Sequence, residues 1–336
     1  MHSIGCDLHK KTTTMHVVNQ ARRKVASERF SCGDPQGMLK WLNQFTPFQL
    51  VVEATASYEW FVQLVEPLAD RVVLAHPAKL RVIAESTRKT DRLDARTLAE
   101  FLALDMIPQA YRPTPRQREH RVWVRQRHYL RGRITSIRNR LRRIFSNYNA
   151  DRSDLFTIDG RQASAAISLS PAERFAVDQL WKEIDLYERQ MVEVRKALRQ
   201  FAEQAPPAEA HARKVLRSIP GVGEITSEVY LAEVADVRRF RSQKKVVAYA
   251  GLAPGLRESA GKRHDLGITH AGSRMLRWVL CQAAWQLVRR DDHWGEIFAG
   301  LAKRRGRKKA ITAVARRLLC VMTSMVMSGQ DYRIAA

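Results

Sequence analysis

The sequence predicts an α/β domain over residues 1–110, an arginine-rich helical, coiled-coil region over 111–205, and a mainly α-helical domain over 206–336. Three observations lead there. Strand-like and helix-like segments alternate through the first third of the chain. Two long segments that follow carry apolar residues at heptad spacing. Two proline-bearing breaks, at Pro108, Pro113 and Pro115 and again in QAPPAEA from Gln204 to Ala210, separate the three regions.

In the first region strands are expected at 2–7, 13–19, 24–31, 49–54 and 71–75, and helices at 35–45, 58–69, 77–86 and 92–104. TTTMHVV alternates in the manner of a strand beyond a tight connection. QLVVEA is a continuous apolar run, short enough to be a strand buried on both faces. LDARTLAEFLAL has helical periodicity.

The second region is the most basic stretch of the chain, with eleven arginines and one acid, Glu119, between Arg116 and Phe145. Within it Leu130, Ile134, Ile137, Leu141, Ile144 and Tyr148 recur at alternating four- and three-residue steps. That spacing predicts a helix with a narrow apolar seam and an arginine-covered exterior. A second seam runs through Val177, Leu180, Ile184, Tyr187, Met191, Val194, Leu198 and Phe201. The two helices can pair as an antiparallel hairpin or as a dimer-forming coiled coil. A face so rich in one sign repels itself unless phosphates neutralise it, which marks Arg125, Arg131, Arg138 and Arg142 as nucleic-acid contacts.

In the third region SIPGVGEITSEVYLAEV has the form of a helix-hairpin-helix turn. Gly221 and Gly223 would let backbone N–H groups approach a phosphate, although such a turn is often only a tight connection. From Ala248 to Gly272 the chain is rich in Gly, Ser and Lys/Arg without hydrophobic period, as in an exposed loop or small hairpin; from Ser273 it becomes a helix. Ser259 lies in the basic part, flanked by Arg257, Lys262 and Arg263, and a serine there is a candidate nucleophile toward phosphate because the cations stabilise an alkoxide. Most loop serines are not nucleophiles. Lys262 and Arg263 are candidate phosphate contacts, as is the basic run KRRGRKK at 303–309. The longest apolar run, Leu318 to Met327, is too short to span a bilayer and is expected to be a core helix.

A formal net charge of +24 and a pI near 10.5 imply a polyanionic partner, nucleic acid rather than membrane. MHSIGCDLHKK is not a secretory signal, and Cys6, Cys32, Cys281 and Cys320 form no CxxC pair. Reduced thiols in a cytoplasmic protein without a zinc site are expected. His264 and His270 lack partners at metal-ligand spacing.

Four carboxylates carry the most chemical information: Asp7 in SIGCDLHK, Glu53 in LVVEATASY, and Asp91 and Asp94 in KTDRLDART. Asp7 and Glu53 close predicted strands. Asp91 and Asp94 share one face at the start of a predicted helix. Singly, each has an ordinary role as a turn residue or a complement to the helix dipole. Together, in the order strand, strand, helix, they match a metal-dependent nuclease of the RNase H/RuvC type, in which paired hard cations serve in-line displacement at phosphorus.

GCDLHKKTT, VVEATASY and TDRLDARTLAE resemble the DEDD motif of transposases of the insertion sequence 110 family, relatives of the Piv-type DNA invertases. SIPGVG, AYAGLAP, ESAGK and GITHAGSRMLR resemble the family's second domain, and the blocks occur in the family's order over nearly the whole chain. The resemblance implies a RuvC-like N-terminal domain, a coiled-coil connection and a C-terminal transposase domain. It implies Mg²⁺, or Mn²⁺ in its place, on Asp7, Glu53, Asp91 and Asp94, and a serine nucleophile at Ser259. Thr269, Ser273 and Ala260 depart from residues common in the family. It implies donor and target DNA as substrates in a prokaryotic, nucleoid-associated setting, a structured guide RNA that pairs with both, and dimers joined into a synaptic tetramer. A hydrolytic junction resolvase, which needs only the carboxylates and water, and a non-catalytic nucleic-acid scaffold are the competing readings.

Overall fold

The computed structural model describes residues 1–55, 57–83, 91–259 and 262–333, with the side chains of 81–83, 91–93, 256–259 and 262–265 outside that description. The helix tail expected at 84–86 and Ala260 therefore lie outside the described residues. The chain divides into two compact units, Met1–Arg112 and Pro113–Ala336. The arginine-rich region and the region after Gln204 both fall in the second.

The first unit is built on a mixed five-stranded sheet of order β3-β2-β1-β4-β5. β1 (His2–Leu8), β2 (Thr12–Val18) and β3 (Lys24–Ser31) form an antiparallel meander, and β4 (Phe48–Glu53) and β5 (Arg71–Ala75) extend it in parallel from β1. Parallel neighbours need crossovers, and the chain supplies them as α1 (Pro35–Asn43) before β4 and α2 (Tyr58–Val65) before β5. The side chain of Asp34 accepts from the Gly37 amide at 2.9 Å and caps α1. α2 stops at Val65, with Glu66 still helical as its C-cap, short of the 69 expected from periodicity, because Pro67 has no amide hydrogen to continue the ladder and its ring clashes with the preceding turn.

The pleat sorts β1 into two faces. Ile4, Cys6 and Leu8 join Leu50, Val52, Met38, Leu42, Phe61 and Val65 in one core. The opposite face, with Val51, Val73 and Ala75, is covered by α3 (Pro77–Ile83) and α4 (Asp91–Ala103) through Leu80, Leu98 and Leu102. Gly5 lies on this second face. A Cβ there would sit 2.0 Å from the Ala95 carbonyl oxygen and 2.4 Å from the Ala99 nitrogen, so only glycine lets α4 approach so closely.

In the second unit α5 (Pro115–Ser146), capped by Thr114 and Gln117, and α7 (Pro171–Glu203), capped by Ser170, are joined through α6 (Ile158–Ala165). The two heptad seams meet each other within one chain. Ile137, Leu141 and Phe145 pack on Val177, Leu180 and Ile184, whereas Leu130, earlier on α5, packs on Met191 and Val194, later on α7. The pair is therefore an antiparallel hairpin. Tyr148, the last residue of the expected seam, lies past the helix end and is exposed.

α8 (Pro207–Arg217), α9 (Glu224–Val234), α10 (Gln243–Tyr249), the hairpin of β6 (Pro254–Ser259) and β7 (Lys262–Ile268), α11 (Arg274–Arg290), α12 (Asp292–Arg305) and α13 (Arg307–Ser328) follow. α9 is buried on every side from Thr226 to Val234, with the Tyr230 hydroxyl donating to Thr323 at 3.1 Å. α13 extends well upstream of the apolar run that ends it and is, by length and composition, long and apolar enough to cross a membrane. Here its Ile311, Val314, Leu318, Leu319 and Met322 face is buried in the core with α9 and α11.

Charged side chains also enter this core. Glu228 is 1% exposed, lies 2.9 Å from His120 Nε2 and accepts from Arg213 Nε at 2.6 Å. Burial alone would push the Glu228 carboxyl up, but His120 and Arg213 outweigh it and bring it down to about 2. Arg213 also donates to Glu209 at 2.9 Å, and Glu209 takes Arg116 at 2.7 Å, so the network ties α5 to α8 and α9.

A carboxylate centre and a serine-bearing hairpin

β1 and β4 pair in parallel with Cys6 opposite Val52, so Asp7 and Glu53 are the next residues of the two strands at the same level. Residues level on adjacent strands point to one face, and theirs is the face of Gly5 and Val51 that α4 covers. The direction of α4 follows from its far end. Just beyond it, Asp105 accepts from Arg71 at 3.2 Å, and Arg71 opens β5 opposite Gln49. The C-terminal end of α4 thus lies where the parallel strands start, and its first turn lies toward their C-terminal ends, where Asp7 and Glu53 stand. Asp94, exposed, immediately precedes Ala95, whose carbonyl abuts Gly5; Asp91 is the first residue of the helix, three positions earlier.

The fold therefore draws two strand ends and one helix start to a single edge of the sheet. The Asp7 side chain is 18% exposed, and its Oδ2 lies 3.1 Å from His9 Nε2. His9 belongs to the motif CDLHK, and sequence reasoning passed over it; its signal is only a ring two residues beyond a strand-end carboxylate. The oxygen-only donors of Asp7, Glu53 and Asp94 suit a hard divalent cation. Among the described residues no cluster of three His, Cys, Asp or Glu groups is close enough to hold a metal, and the side chain of Asp91 is outside that description. Cys6, next to Asp7, is no competitor as a ligand: burial pushes its thiol up to about 12.

Ser259 ends β6 directly opposite Lys262, the first residue of β7, and Arg263 stands opposite Glu258. These are backbone positions only. Both feet of the hairpin are tied down: the Thr269 amide donates to Ala253 O at 2.9 Å and the His270 amide to Gly251 O at 3.2 Å. Arg277, buried on α11, donates from Nη1 to Ala250 O at 3.1 Å and to Gly272 O at 2.9 Å, bridging the end of α10 that leads in and the turn that leads out. Gly251, at φ +68°, leaves Arg277 that space. The blocks AGLAP and THAGSRMLR are thus one construction, with Arg277 the residue that sequence reasoning missed.

The expected nucleic-acid contacts divide. Gly223 is exposed with open space around it, at the start of α9, which has no side-chain cap. Gly221 is different: at φ +89°, an added Cβ would collide with Gln286 and Leu287 of α11, so the close packing of this turn on α11 requires glycine. Arg125 pairs with Glu233 at 3.1 Å, Arg138 with Glu188 at 2.8 Å and Arg142 with Asp151 at 3.0 Å. The self-repelling arginine face of the sequence reading is thus partly neutralised by carboxylates of the same chain. Arg131 pairs with no acid among the described residues and lies over the Trp278 ring at 3.9 Å.

Comparison with known proteins matches both parts of this arrangement. Residues 4–150 fit the profile of the DEDD transposase domain of insertion sequence 110, and residues 213–299 fit that of the transposase IS116/IS110/IS902 family. A Sinorhizobium fredii protein named as a transposase is 26% identical over 345 residues, covering 99% of this chain and 86% of its own. The transposase for insertion sequence element IS1111A of Coxiella burnetii is 26% identical over 262 residues, covering 74% and 70%. The pilin gene-inverting protein of Moraxella bovis is 22% identical over 290 residues, covering 84% and 81%. With the carboxylate-bearing sheet matched by one profile and the serine hairpin by the other, in that order along one chain, this protein belongs to the IS116/IS110/IS902 family of transposases.

Proposed function

We propose that the chain breaks and rejoins DNA at the ends of a mobile element, with Asp7, Glu53, Asp91 and Asp94 holding divalent cations and Ser259 as nucleophile. The observation that carries this reading is the level register of Asp7 and Glu53 on adjacent parallel strands, beneath the helix that begins with Asp91 and Asp94. Carboxylates gathered at one sheet edge repel one another without a cation, and their oxygen donors suit Mg²⁺ or Mn²⁺. Such a cation would draw charge from the scissile phosphate and stabilise in-line displacement. Asp7 is held in place by its strand pairing with Thr14 and by His9, so its carboxylate is pre-oriented.

In the proposed step the Ser259 hydroxyl gives up its proton and its oxygen bonds to phosphorus. One bond from phosphorus to a sugar oxygen breaks, and that oxygen leaves as a hydroxyl after taking up a proton. The strand remains joined to serine, the phosphodiester energy is kept, and the reverse attack reseals DNA without ATP. The net charge of +24 supports a nucleic-acid partner. In this reading a structured guide RNA selects donor and target DNA by base pairing, dimers assemble into a tetramer at synapsis, and the work is done in the cytoplasm.

The test is incubation of the purified protein, with its co-purifying RNA and Mg²⁺, on labelled DNA carrying the element junction, followed by a denaturing protein gel. A DNA-linked protein band that disappears with Ser259→Ala, and cleavage that disappears with Asp7→Asn, are expected. Cleaved DNA with no linked band would assign hydrolysis by the carboxylates and water instead.

A further inference from the structure

Three arginines of the second unit share a place where, among the described residues, no acid is left over to neutralise them. Arg127 of α5 lines a small cavity between α5, α7, α9 and α11, together with Leu198, Ile225, Trp278 and Glu228, a carboxylate already taken by Arg213 and Arg217. Its Nε is buried and has no hydrogen-bond partner. Burial, and then the charges of Arg195 on α7 and Arg131 one turn along α5, hold the Arg127 guanidinium below its usual value. Glu224 opposes them, but Glu224 already receives Arg199 at 3.4 Å. Arg131 is held flat by Trp278, and His128, whose ring is 5.8 Å from the same indole, is held below its ordinary value by burial and then by Arg131 and Arg127.

This is the reverse of the pattern at Arg125, Arg138 and Arg142, each of which has a carboxylate. Half-buried like charges destabilise the protein that carries them. A fold tolerates them where an anion arrives to complete the site. Arg195 and Arg131 are exposed and Arg127 is half-buried, so two of the three cations are open to a ligand.

We propose that Arg127, Arg131 and Arg195 form a binding site for phosphates of a nucleic-acid backbone, beside the first turn of α9. The proposal rests on the nucleic-acid partner of the preceding section and not on the carboxylate or serine chemistry. Arg131 is a charge-assisted donor fixed in direction by its indole, and Arg127 adds a half-buried guanidinium charge, whose field is less screened than that of a fully solvated one.

The experiment measures fluorescence anisotropy of the full chain against two labelled probes, an RNA hairpin and a DNA duplex, each over a salt series. It is done in the Asp7→Asn background, so that turnover cannot disturb the reading and a failure of the catalytic proposal leaves this one testable. Arg127→Met and Arg195→Gln should each weaken binding by about tenfold. The slope of log affinity against log salt should become shallower, by about 0.9 on the DNA duplex for each phosphate no longer neutralised and in the same direction on the hairpin. Arg127→Lys should recover most of the slope. The melting temperature of ligand-free Arg127→Met should hold or rise, because an uncompensated charge has gone. Weakening confined to the hairpin assigns the RNA backbone, weakening confined to the duplex assigns DNA, and either supports the site. Wild-type affinity and slope for both probes, or a weakened affinity that accompanies a fallen melting temperature, would overturn it.

Discussion

Gly5→Ala tests whether α4 positions the carboxylate centre. The added methyl would lie 2.0 Å from Ala95 O, and ordinary contact begins near 3.4 Å, so α4 must withdraw by the difference, about 1.4 Å, or β1 must buckle by as much. Two effects of opposite sign compete in stability. Alanine in a strand gains about 0.5–1 kcal/mol over glycine, while overpacking costs about 1–3 kcal/mol. Because the obstacle is helix backbone and not the flexible end of a side chain, overpacking should win. For a unit this size a net loss of about 1–2 kcal/mol lowers the melting temperature by roughly 4–15 °C. Asp91 and Asp94 ride on α4, and a misplacement of about 1 Å costs on the order of a hundredfold in rate. Differential scanning fluorimetry and single-turnover cleavage of junction DNA read the two effects. Wild-type melting with wild-type cleavage would refute the close packing of α4 on β1. Lowered melting with unchanged cleavage would keep the packing and refute its role in placing the carboxylates.

Two further outcomes are expected. Glu228 is depressed to about 2 from an ordinary 4.5, so the stability it contributes is fully present above about pH 4.5 and is lost as the pH falls toward 2. The depression corresponds to roughly 3 kcal/mol. Glu228→Gln should flatten the acid limb of a series of thermal melts from pH 5 to pH 2 and, by leaving the buried Arg213 with Glu209 as its one remaining acid among the described residues, cost up to about 3 kcal/mol at neutral pH; an unchanged acid limb would count against the network. Mg²⁺ or Mn²⁺ should stabilise the first unit within the full chain by mass action, by about 2.7 kcal/mol at a hundred times the dissociation constant, and so raise its melting temperature, and Asp7→Asn should abolish the gain. Equal stabilisation of both proteins would place the cation elsewhere.

Most of the sheet was legible because its signals are local. TTTMHVV alternates, QLVVEA is uniformly apolar, and both became the strands expected, β2 and β4. The ends of Asp7 and Glu53 on their strands were also legible. Their common level was not, because it depends on the parallel pairing of strands that lie more than forty residues apart. The close approach of α4 hangs on Gly5, whose meaning appears only when another element comes to rest on it. The seams of α5 and α7 were read correctly as apolar stripes, yet a heptad pattern is equally content with a partner in the same chain or another, and only the packing chose. Arg277 escaped for the same reason, since the two carbonyls it joins belong to separate motifs.

The arginines of α5 show how far composition can carry a functional argument. Eleven cations against one acid pointed to phosphate, but the acids that answer them lie on other helices and loops, at Glu233, Glu188 and Asp151. Exposure then decides which arginines remain open to a ligand. Arg138 and Glu188 are 42% and 48% exposed, and such a surface pair is worth roughly 0–1 kcal/mol, so a phosphate can displace the carboxylate at little cost. Glu233 is only 4% exposed, and taking Arg125 from it would leave a buried carboxylate without that partner, at a cost of a few kcal/mol. Arg125 is therefore committed to the fold. Arg138, and Arg142 with its partly exposed Asp151, can be exchanged, while Arg127 and Arg131 have no ion-paired acid among the described residues to give up. A nucleic acid meeting this helix would engage first the cations whose present partners are weakest, which moves the centre of the interface from the seam of α5 with α7 toward the junction with α9 and Trp278.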